Sequence, residues 1–237
     1  MRIIALILSV ILLTACTVRL TPAATDEKSP SPVSYRIAPR RPDPRQKVSA
    51  VTATDTEVHY SKDHLTLVLR KPHQWETLAT DYGIVISEHF ASVETAGVLE
   101  GLLAYASVIP LPEEITSPDG LVQSMLSDSL SRASDDHGLT YTDVTSFKWD
   151  GYDAAYYLAS DDEGNAMFVV GVAVPEQGVM VTCTVSAPYD QHTRIPEILP
   201  TLLDAVRVNT VQLSYQPFVD LVKEMKFPPP PTVTSAF

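Results

Sequence analysis

The loop Asp161-Asp162-Glu163-Gly164-Asn165 is the part of the sequence best suited to hold an ion. Calcium takes hard oxygen ligands such as carboxylates and amide carbonyls, and a glycine permits a tight turn. Asp161, Asp162 and Asn165 are therefore the candidate metal ligands. The spacing differs from that of the EF-hand loop, which is longer and ends in a bidentate glutamate. A solvated hairpin tip, typical of clustered Asp, Asn and Gly, is the alternative interpretation.

The sequence has no motif that is typical of catalysis. It contains no Gly-x-Ser-x-Gly nucleophile elbow, no glycine-rich nucleotide-binding motif and no His-Glu-x-x-His zinc helix. The six histidines are scattered, and a zinc site at His59 and His64 would need a further ligand such as Asp63. We therefore expect a protein that is not an enzyme and that carries no cofactor.

The start of the chain resembles a bacterial lipoprotein signal. Arg2 precedes an apolar run over residues 3–13, which is too short to span a bilayer as a permanent helix. The tetrapeptide Leu13-Thr14-Ala15-Cys16 follows and is similar to a lipobox, in which small residues admit the signal peptidase and the cysteine is lipidated. Residues 1–15 are thus a predicted signal peptide, and Cys16 is the predicted lipidation site. An ordinary secretory signal with an incidental cysteine is the alternative.

Lipidation at Cys16 would anchor the protein to a bacterial membrane. Each buried CH₂ of an acyl chain contributes about 0.8 kcal/mol, so several chains on one residue, palmitate for example, make a stable anchor. Cys183 is the other cysteine of the sequence, which excludes a disulfide framework and makes Cys183 an expected small buried hydrophobe. The expected location is the cell envelope, with the domain on the extracytoplasmic side.

The formal net charge of −12 is unevenly distributed along the chain. Residues 51–213 hold 24 Asp and Glu against 7 Lys and Arg, whereas residues 17–50 hold 7 Lys and Arg against 3 Asp and Glu. An acidic domain disfavours nucleic acid or an anionic bilayer as a direct partner, because both carry negative charge. The basic segment is suited to lie along lipid headgroups, and a solvated linker is the alternative. We expect no nucleic-acid partner.

Changes in composition divide the chain into four parts. After the signal peptide, residues 16–57 are the lipidated cysteine and a predicted disordered, Pro-rich, basic tether. Residues 58–213 are the predicted folded domain, which is long enough for one hydrophobic core. Residues 214–237 are predicted to form a short helix over residues 218–225 and a Pro-rich tail, which is either a spacer or a docking ligand.

The predicted domain is organised around a meander of three strands over residues 154–160, 166–174 and 179–187, with turn residues between them. A helix over residues 195–206 offers an apolar stripe to cover the sheet. In the third strand two types of residue alternate, which predicts one apolar face and one hydroxyl face: Val179, Val181, Cys183, Val185 and Ala187 on the first, Thr182, Thr184 and Ser186 on the second.

The rest of the domain is predicted to supply more strands and a second helix. Strands are predicted over residues 64–70, 82–89 and 139–149, and residues 211–213 are a candidate edge strand. Residues 99–111 are a longer apolar run, which Pro110 and Pro112 end. The helix is predicted to start at Ser117-Pro118-Asp119, with a hydroxyl N-cap and a proline in its first turn. Antiparallel hairpins with helices grouped by position indicate the α+β class.

Two segments of the predicted domain have a recognisable pattern. In Leu69-Arg70-Lys71-Pro72-His73-Gln74-Trp75 a strand is followed by a proline, a short turn and a tryptophan. In Trp149-Asp150-Gly151-Tyr152-Asp153-Ala154-Ala155-Tyr156 a strand carries the pattern Gly-x-x-Ala, and a hairpin, a strand and a closing helix follow it. Both segments resemble domains related to PsbP, the extrinsic protein of photosystem II, and its bacterial relative DcrB. The resemblance covers about residues 58–208. It implies an αβα sandwich around a twisted, mainly antiparallel sheet.

The resemblance also implies a type of function, since such domains mostly bind proteins or assist the assembly of membrane complexes. The expected function is that of a noncatalytic, membrane-anchored lipoprotein whose domain binds an unidentified protein partner or assists assembly of an envelope complex. A lipoprotein that binds a small ligand or a divalent cation such as calcium, through Asp161, Asp162 and Asn165, is the alternative. The family's binding residues do not transfer to positions of this chain.

Overall fold

The computed structural model describes residues 50–54, 56–90, 99–112 and 119–231, and within these ranges most of the chain is antiparallel sheet. The strands are β1 Ala50–Ala53, β2 Glu57–Lys62, β3 Leu65–Arg70, β4 Glu76–Ala79, β5 Gly83–Ser87, β6 Leu103–Pro110, β7 Thr140–Tyr141, β8 Thr145–Trp149, β9 Tyr152–Ser160, β10 Asn165–Val174, β11 Val179–Pro188, β12 Val206–Val208 and β13 Val211–Leu213. Helices lie at α1 Leu121–His137, α2 Arg194–Leu203 and α3 Phe218–Glu224. Cys16 and the predicted signal peptide lie outside the described residues.

The strands form two sheets. The larger sheet has the order β4-β5-β6-β11-β10-β9-β7, and β8 also pairs with β9. The smaller sheet has the order β1-β2-β3-β12-β13. Neighbouring strands are antiparallel in both sheets. The predicted meander is thus confirmed as β9, β10 and β11, in the middle of the larger sheet.

Each face of the larger sheet has its own apolar core. The inner face packs against the smaller sheet and α2, and its core includes Val170, Val185 and Leu199. The outer face packs against α1, which contributes Val122, Leu126 and Leu130. Because both faces are covered, every residue of β10 is buried.

The alternation predicted for β11 is confirmed. Val181, Cys183 and Val185 belong to the inner core, and the residues between them lie on the outer face. Burial raises the pKa of the Cys183 thiol to about 12. The thiol therefore stays protonated and packs as a small hydrophobe, as the sequence predicts.

Helix α1 begins later than the sequence predicts and is capped from another strand. Its first residue is Leu121, and Gly120 at the N-cap provides no side-chain hydrogen bond. The buried carboxylate of Asp153, on β9, accepts hydrogen bonds from the backbone N–H groups of Gly120 at 3.2 Å and Val122 at 3.1 Å. The predicted cap, Ser117, lies outside the described residues. A carboxylate on β9 therefore fixes one end of α1 over the larger sheet.

The structure corrects three other expectations about element boundaries. The predicted helix over residues 195–206 ends at Leu203, and Val206 begins β12 after Ala205 turns the chain at a φ of 61°. The predicted tether contains β1, so the folded domain starts before residue 58. The predicted strand over residues 139–149 is interrupted, and its two parts are β7 and β8.

The beginning of the Pro-rich tail packs against the domain. Phe227 is buried and contacts His192 with a ring-centre distance of 5.5 Å. The carbonyl of Pro228 accepts a hydrogen bond from Ser160 at 2.6 Å, and that of Pro229 accepts one from Thr140 at 2.5 Å. This part of the tail is therefore part of the domain surface and not a free spacer.

No helix within the described ranges is both long enough and apolar enough to cross a membrane.

Candidate functional site: a pocket on the outer face of the larger sheet

The predicted ion loop is held together by its own hydrogen bonds. Asp161 is buried, and its carboxylate accepts hydrogen bonds from the backbone N–H of Asn165 at 2.8 Å and from the Asn165 side-chain amide at 2.9 and 3.2 Å. Asp162 is exposed at the tip of the turn. The N–H groups of Asn165 thus occupy the Asp161 oxygens that an ion would need. The Asp and Asn residues of this loop are therefore explained by the hydrogen bonds that close the hairpin.

Calcium binding by Asp161, Asp162 and Asn165 remains a prediction. An ion could bind these oxygens only if the hydrogen bonds between Asp161 and Asn165 broke. Among the described residues, no group of three or more His, Cys, Asp and Glu side chains is arranged to hold a metal ion. His59 pairs with Glu57 at 3.4 Å and not with His64.

Melting curves recorded with calcium and with a chelator should coincide if the loop is a hairpin closure. An increase in melting temperature that is lost in Asp161→Ala with Asp162→Ala would instead establish an ion site.

A pocket of about 260 Å³ lies on the outer face of the larger sheet, beside α1. Strands β6, β9, β10 and β11 form its base, and Leu126 and Ser129 of α1 form one side. We call it the outer pocket. Its apolar lining includes Val108, Val169 and Met180.

The register of the sheet explains the arrangement of this lining. Tyr157 lies opposite Val169, Val169 opposite Thr184, and Thr184 opposite Tyr105. Adjacent strands are about 4.8 Å apart, so the two tyrosines start about 14 Å apart on the same face of the sheet. Val169 and Thr184 form the base between the two tyrosine side chains.

The neighbouring row of paired residues contains two more hydroxyl groups and the glycine against which α1 packs. Thr182 lies opposite Ser107, and their hydroxyls are 2.6 Å apart. In the same row, Gly171 faces α1, where a Cβ atom would lie 3.0 Å from Cγ1 of Val122. The absence of a side chain at Gly171 therefore lets the helix pack closely against the sheet.

The base of the pocket is accessible although it lies in the middle of a sheet. Thr182 and Thr184 are only partly buried, whereas Val181, Cys183 and Val185 on the opposite face are buried. Among the described residues, α1 packs against β8, β9 and β10, whereas β11 and β6 lie farther from this helix. A bound molecule could therefore contact these hydroxyls directly.

The polar groups of the outer pocket are hydroxyls. Burial raises the pKa of Tyr105 to about 12, an effect that the hydroxyls of Thr80 and Ser107 partly offset, and burial also raises the pKa of Tyr157. Both phenols therefore remain protonated at neutral pH and can donate a hydrogen bond. The described lining contains no Lys, Arg, His, Asp or Glu, so the site is suited to an uncharged molecule.

Tyr105 has an unusual polar environment. The residue is 3% exposed, and its buried hydroxyl makes no hydrogen bond of normal geometry with the described residues. The hydroxyls of Thr80 and Ser107 lie close enough to lower the pKa of Tyr105, so these two side chains are the polar groups around its hydroxyl.

The outer pocket was not predicted from the sequence, although two of its signals are present there. The hydroxyl face of β11 was predicted, and Tyr156 and Tyr157, as neighbours in one strand, belong to the cores on opposite faces of the sheet. The missing information was that β6 pairs with β11, which places Tyr105 in the row of Thr184. That pairing joins residues far apart in the sequence.

Comparisons with known proteins give a distant structural likeness. No protein-family model matches the sequence, and no curated protein matches it either. A similar solved structure is that of cyanobacterial PsbP (CyanoP) from Synechocystis sp. PCC 6803, determined in solution. Its TM-score is 0.42 at 12% sequence identity, and the match covers 63% of this chain and 91% of that chain.

Proposed function

We propose that this chain is a noncatalytic binding protein that holds a small uncharged molecule in the outer pocket. The observation that supports this proposal is the 260 Å³ pocket, whose lining is apolar apart from hydroxyl groups such as those of Ser107, Thr182 and Thr184. Binding sites for small molecules are typically concave and mostly apolar, with a few polar groups that orient the ligand. The outer pocket is concave and mostly apolar, and its volume of about 260 Å³ lies just below the usual range of roughly 300–1,000 Å³.

The chemistry of the lining supports binding and not catalysis. General acid–base and nucleophilic catalysis require a group such as a carboxylate, an imidazole or a thiolate next to the substrate. The described lining provides only hydroxyls, and the protonated phenols of Tyr105 and Tyr157 are weak bases. The thiol of Cys183 lies on the opposite face of the sheet.

The proposal also includes the location and the fold family. Cys16 is the proposed lipid anchor, and its lipobox supports a domain held outside the cytoplasm at a bacterial membrane. A PsbP-like αβα sandwich is the proposed fold family. The segment from Leu69 to Trp75 supports it, because β3 ends at Arg70 and a short turn then leads to Trp75, as in that family's opening motif.

Binding to a protein partner is the second candidate function. Leu78 and Tyr82, on the hairpin of β4 and β5, are 49% and 43% exposed. Exposed aromatic and aliphatic residues are common in protein interfaces. Crosslinking in cells would support this candidate if one stoichiometric partner is captured and is lost in Leu78→Ser, at a residue that does not line the outer pocket.

Blocking the pocket tests the leading proposal. Ser129→Phe places a ring at the pocket wall, whereas Ser131→Phe places the same ring on an exposed position of α1 that does not line the pocket. We expect Ser129→Phe to weaken binding of a neutral probe such as 2-acetylnaphthalene at least tenfold, and Ser131→Phe to leave it unchanged. Isothermal titration calorimetry gives both affinities. Equal affinities for the two variants would contradict a site in this pocket.

A further inference from the structure

We propose that Tyr82 determines the length of the molecule that the outer pocket accepts, because its ring closes the pocket toward a second cavity. This inference rests on the proposed function and assigns one specificity-determining residue to the same site. The second cavity, the course of β6 and the contacts of Tyr82 lead to it.

The second cavity lies at one end of the two sheets, where four turns meet. It has a volume of about 420 Å³, and we call it the end cleft. The turns that line it join β2 to β3, β4 to β5, β10 to β11 and β12 to β13. Lys62, Asp63 and Glu176 belong to its lining, whereas the described lining of the outer pocket carries no charge.

The two cavities meet where β6 extends past the end of β5. Strand β5 begins at Gly83, which lies opposite Ser107, whereas β6 continues to Pro110. Beyond Gly83, no described strand pairs with Val108 and Pro110 on that side of β6, and both residues line both cavities. A molecule could therefore pass around this edge of β6 from the outer pocket to the end cleft.

Tyr82 occupies this opening and also lines both cavities. Its backbone N–H donates a hydrogen bond to Oγ1 of Thr80 at 3.3 Å, and its carbonyl accepts one from the N–H of Val108 at 2.9 Å. The ammonium of Lys62 lies 4.9 Å from the centre of its ring and donates to the carbonyl of Asp81 at 2.5 Å. The ring is therefore held between the two cavities, although the residue is 43% exposed.

A ring held at this place limits the length of the ligand. A dry apolar cavity of roughly 150 Å³ holds benzene, so the outer pocket, at about 260 Å³, holds a compact molecule. A longer substituent would extend along Val108 and Pro110 and meet the ring of Tyr82. Removing the ring would let an alkyl chain lie along these two residues and lose contact with water.

Two naphthyl ketones of different length test the inference. 2-Acetylnaphthalene and 2-hexanoylnaphthalene share the rings and the carbonyl group, and the second has a longer alkyl chain. In the unmodified protein we expect the hexanoyl compound to bind no more tightly than the acetyl compound. In Tyr82→Ala we expect it to bind about tenfold more tightly or better, because its chain is buried where the ring was. Isothermal titration calorimetry measures the affinities.

Two control variants separate the ring from other effects of the substitution. Tyr82→Phe keeps the ring and removes the hydroxyl, so it should show the same ratio of the two affinities as the unmodified protein. Tyr141→Ala removes an exposed ring outside both cavities and should also leave that ratio unchanged. Thermal melts verify that the variants fold.

Lys62→Met tests the same point without shortening Tyr82. It removes the ammonium that lies over the ring and keeps a side chain of similar length. A cation–π contact at an exposed site is worth about 0.5–1 kcal/mol, so the ring should move aside more easily. We expect the preference for the hexanoyl compound to rise about twofold or more, and less than in Tyr82→Ala.

The possible results separate the inference from the proposed function. The same ratio of affinities in the unmodified protein, Tyr82→Ala and Lys62→Met, with binding lost in Ser129→Phe, would overturn the role of Tyr82 while supporting a ligand site in the outer pocket. Tighter binding of the hexanoyl compound by the unmodified protein would also overturn the length limit. Failure of both compounds to bind would overturn the proposed function as well.

Discussion

Phe218→Ala is expected to lower the free energy of unfolding by about 3–5 kcal/mol, the usual cost of truncating a fully buried phenylalanine. Phe218 begins α3 and is 0% exposed. Its ring contacts four other aromatic rings at centre distances of 4.7–6.4 Å, which belong to Phe147, Trp149, Phe168 and Tyr215. Each favourable aromatic pair adds roughly 0.5–1.5 kcal/mol to the effect of burial alone.

The Phe218→Ala substitution should also displace α3 and the described residues that follow it. A helix as short as α3 is not stable by itself, so its position depends on the burial of Phe218. Urea unfolding followed by circular dichroism measures the change, with Val219→Ala, at a residue 36% exposed, as the control. We expect the control to change stability by about 0.5 kcal/mol or less. A loss below about 1 kcal/mol in Phe218→Ala would show that α3 does not pack as described.

Gly83→Ala is expected to destabilise the protein by about 3 kcal/mol or more, because the added methyl group would meet backbone atoms. At Gly83, the first residue of β5, a Cβ atom would lie 1.9 Å from the carbonyl oxygen of Ala106 and 2.8 Å from Cα of Ser107. Neither atom can move without disturbing the pairing of β5 with β6. The substitution should therefore separate these strands at the end that carries Tyr82.

A second glycine offers a graded comparison. At Gly171 a Cβ atom would lie 3.0 Å from a side-chain methyl group of Val122, which has more freedom to shift. We expect Gly171→Ala to cost about 1 kcal/mol, clearly less than Gly83→Ala. Because Ser107 lines the outer pocket, Gly83→Ala should also weaken ligand binding. Thermal melts of both variants measure the order of effects, and equal stability of Gly83→Ala and the unmodified protein would contradict the β5–β6 pairing.

Local patterns were sufficient to predict the central meander. The alternation of β11 depends only on neighbouring residues, and the turn residues before Asn165 and Val179 mark the strand starts. The buried state of Cys183 follows from the same alternation. These features were predicted because the information lies within a few residues of each strand.

Features that depend on distant residues were not predicted. Ala205 has a positive φ without being glycine, so no local signal separates the end of α2 from β12. The pairing of β12 with β3 joins Val208 to Leu67 across the chain. The smaller sheet therefore could not be inferred from the periodicity of its separate short strands.

The outer pocket is also a feature that depends on residues far apart in the sequence. The sequence supplies hydroxyl and aromatic residues at Tyr105, Tyr157 and Thr184, but each has an ordinary interpretation as part of a strand. The chemistry of the site arises when the strand register puts them in one row and Asp153 fixes α1 beside them. The clustered acids at Asp161 and Asp162 gave the stronger local signal, and their loop is explained by its own hydrogen bonds.

A crystal structure of the protein soaked with 2-acetylnaphthalene would locate the ligand site. We expect electron density for the compound in the outer pocket, between the rings of Tyr105 and Tyr157 and against Val169. Density for the compound at another place, with none in the outer pocket, would contradict the proposed function.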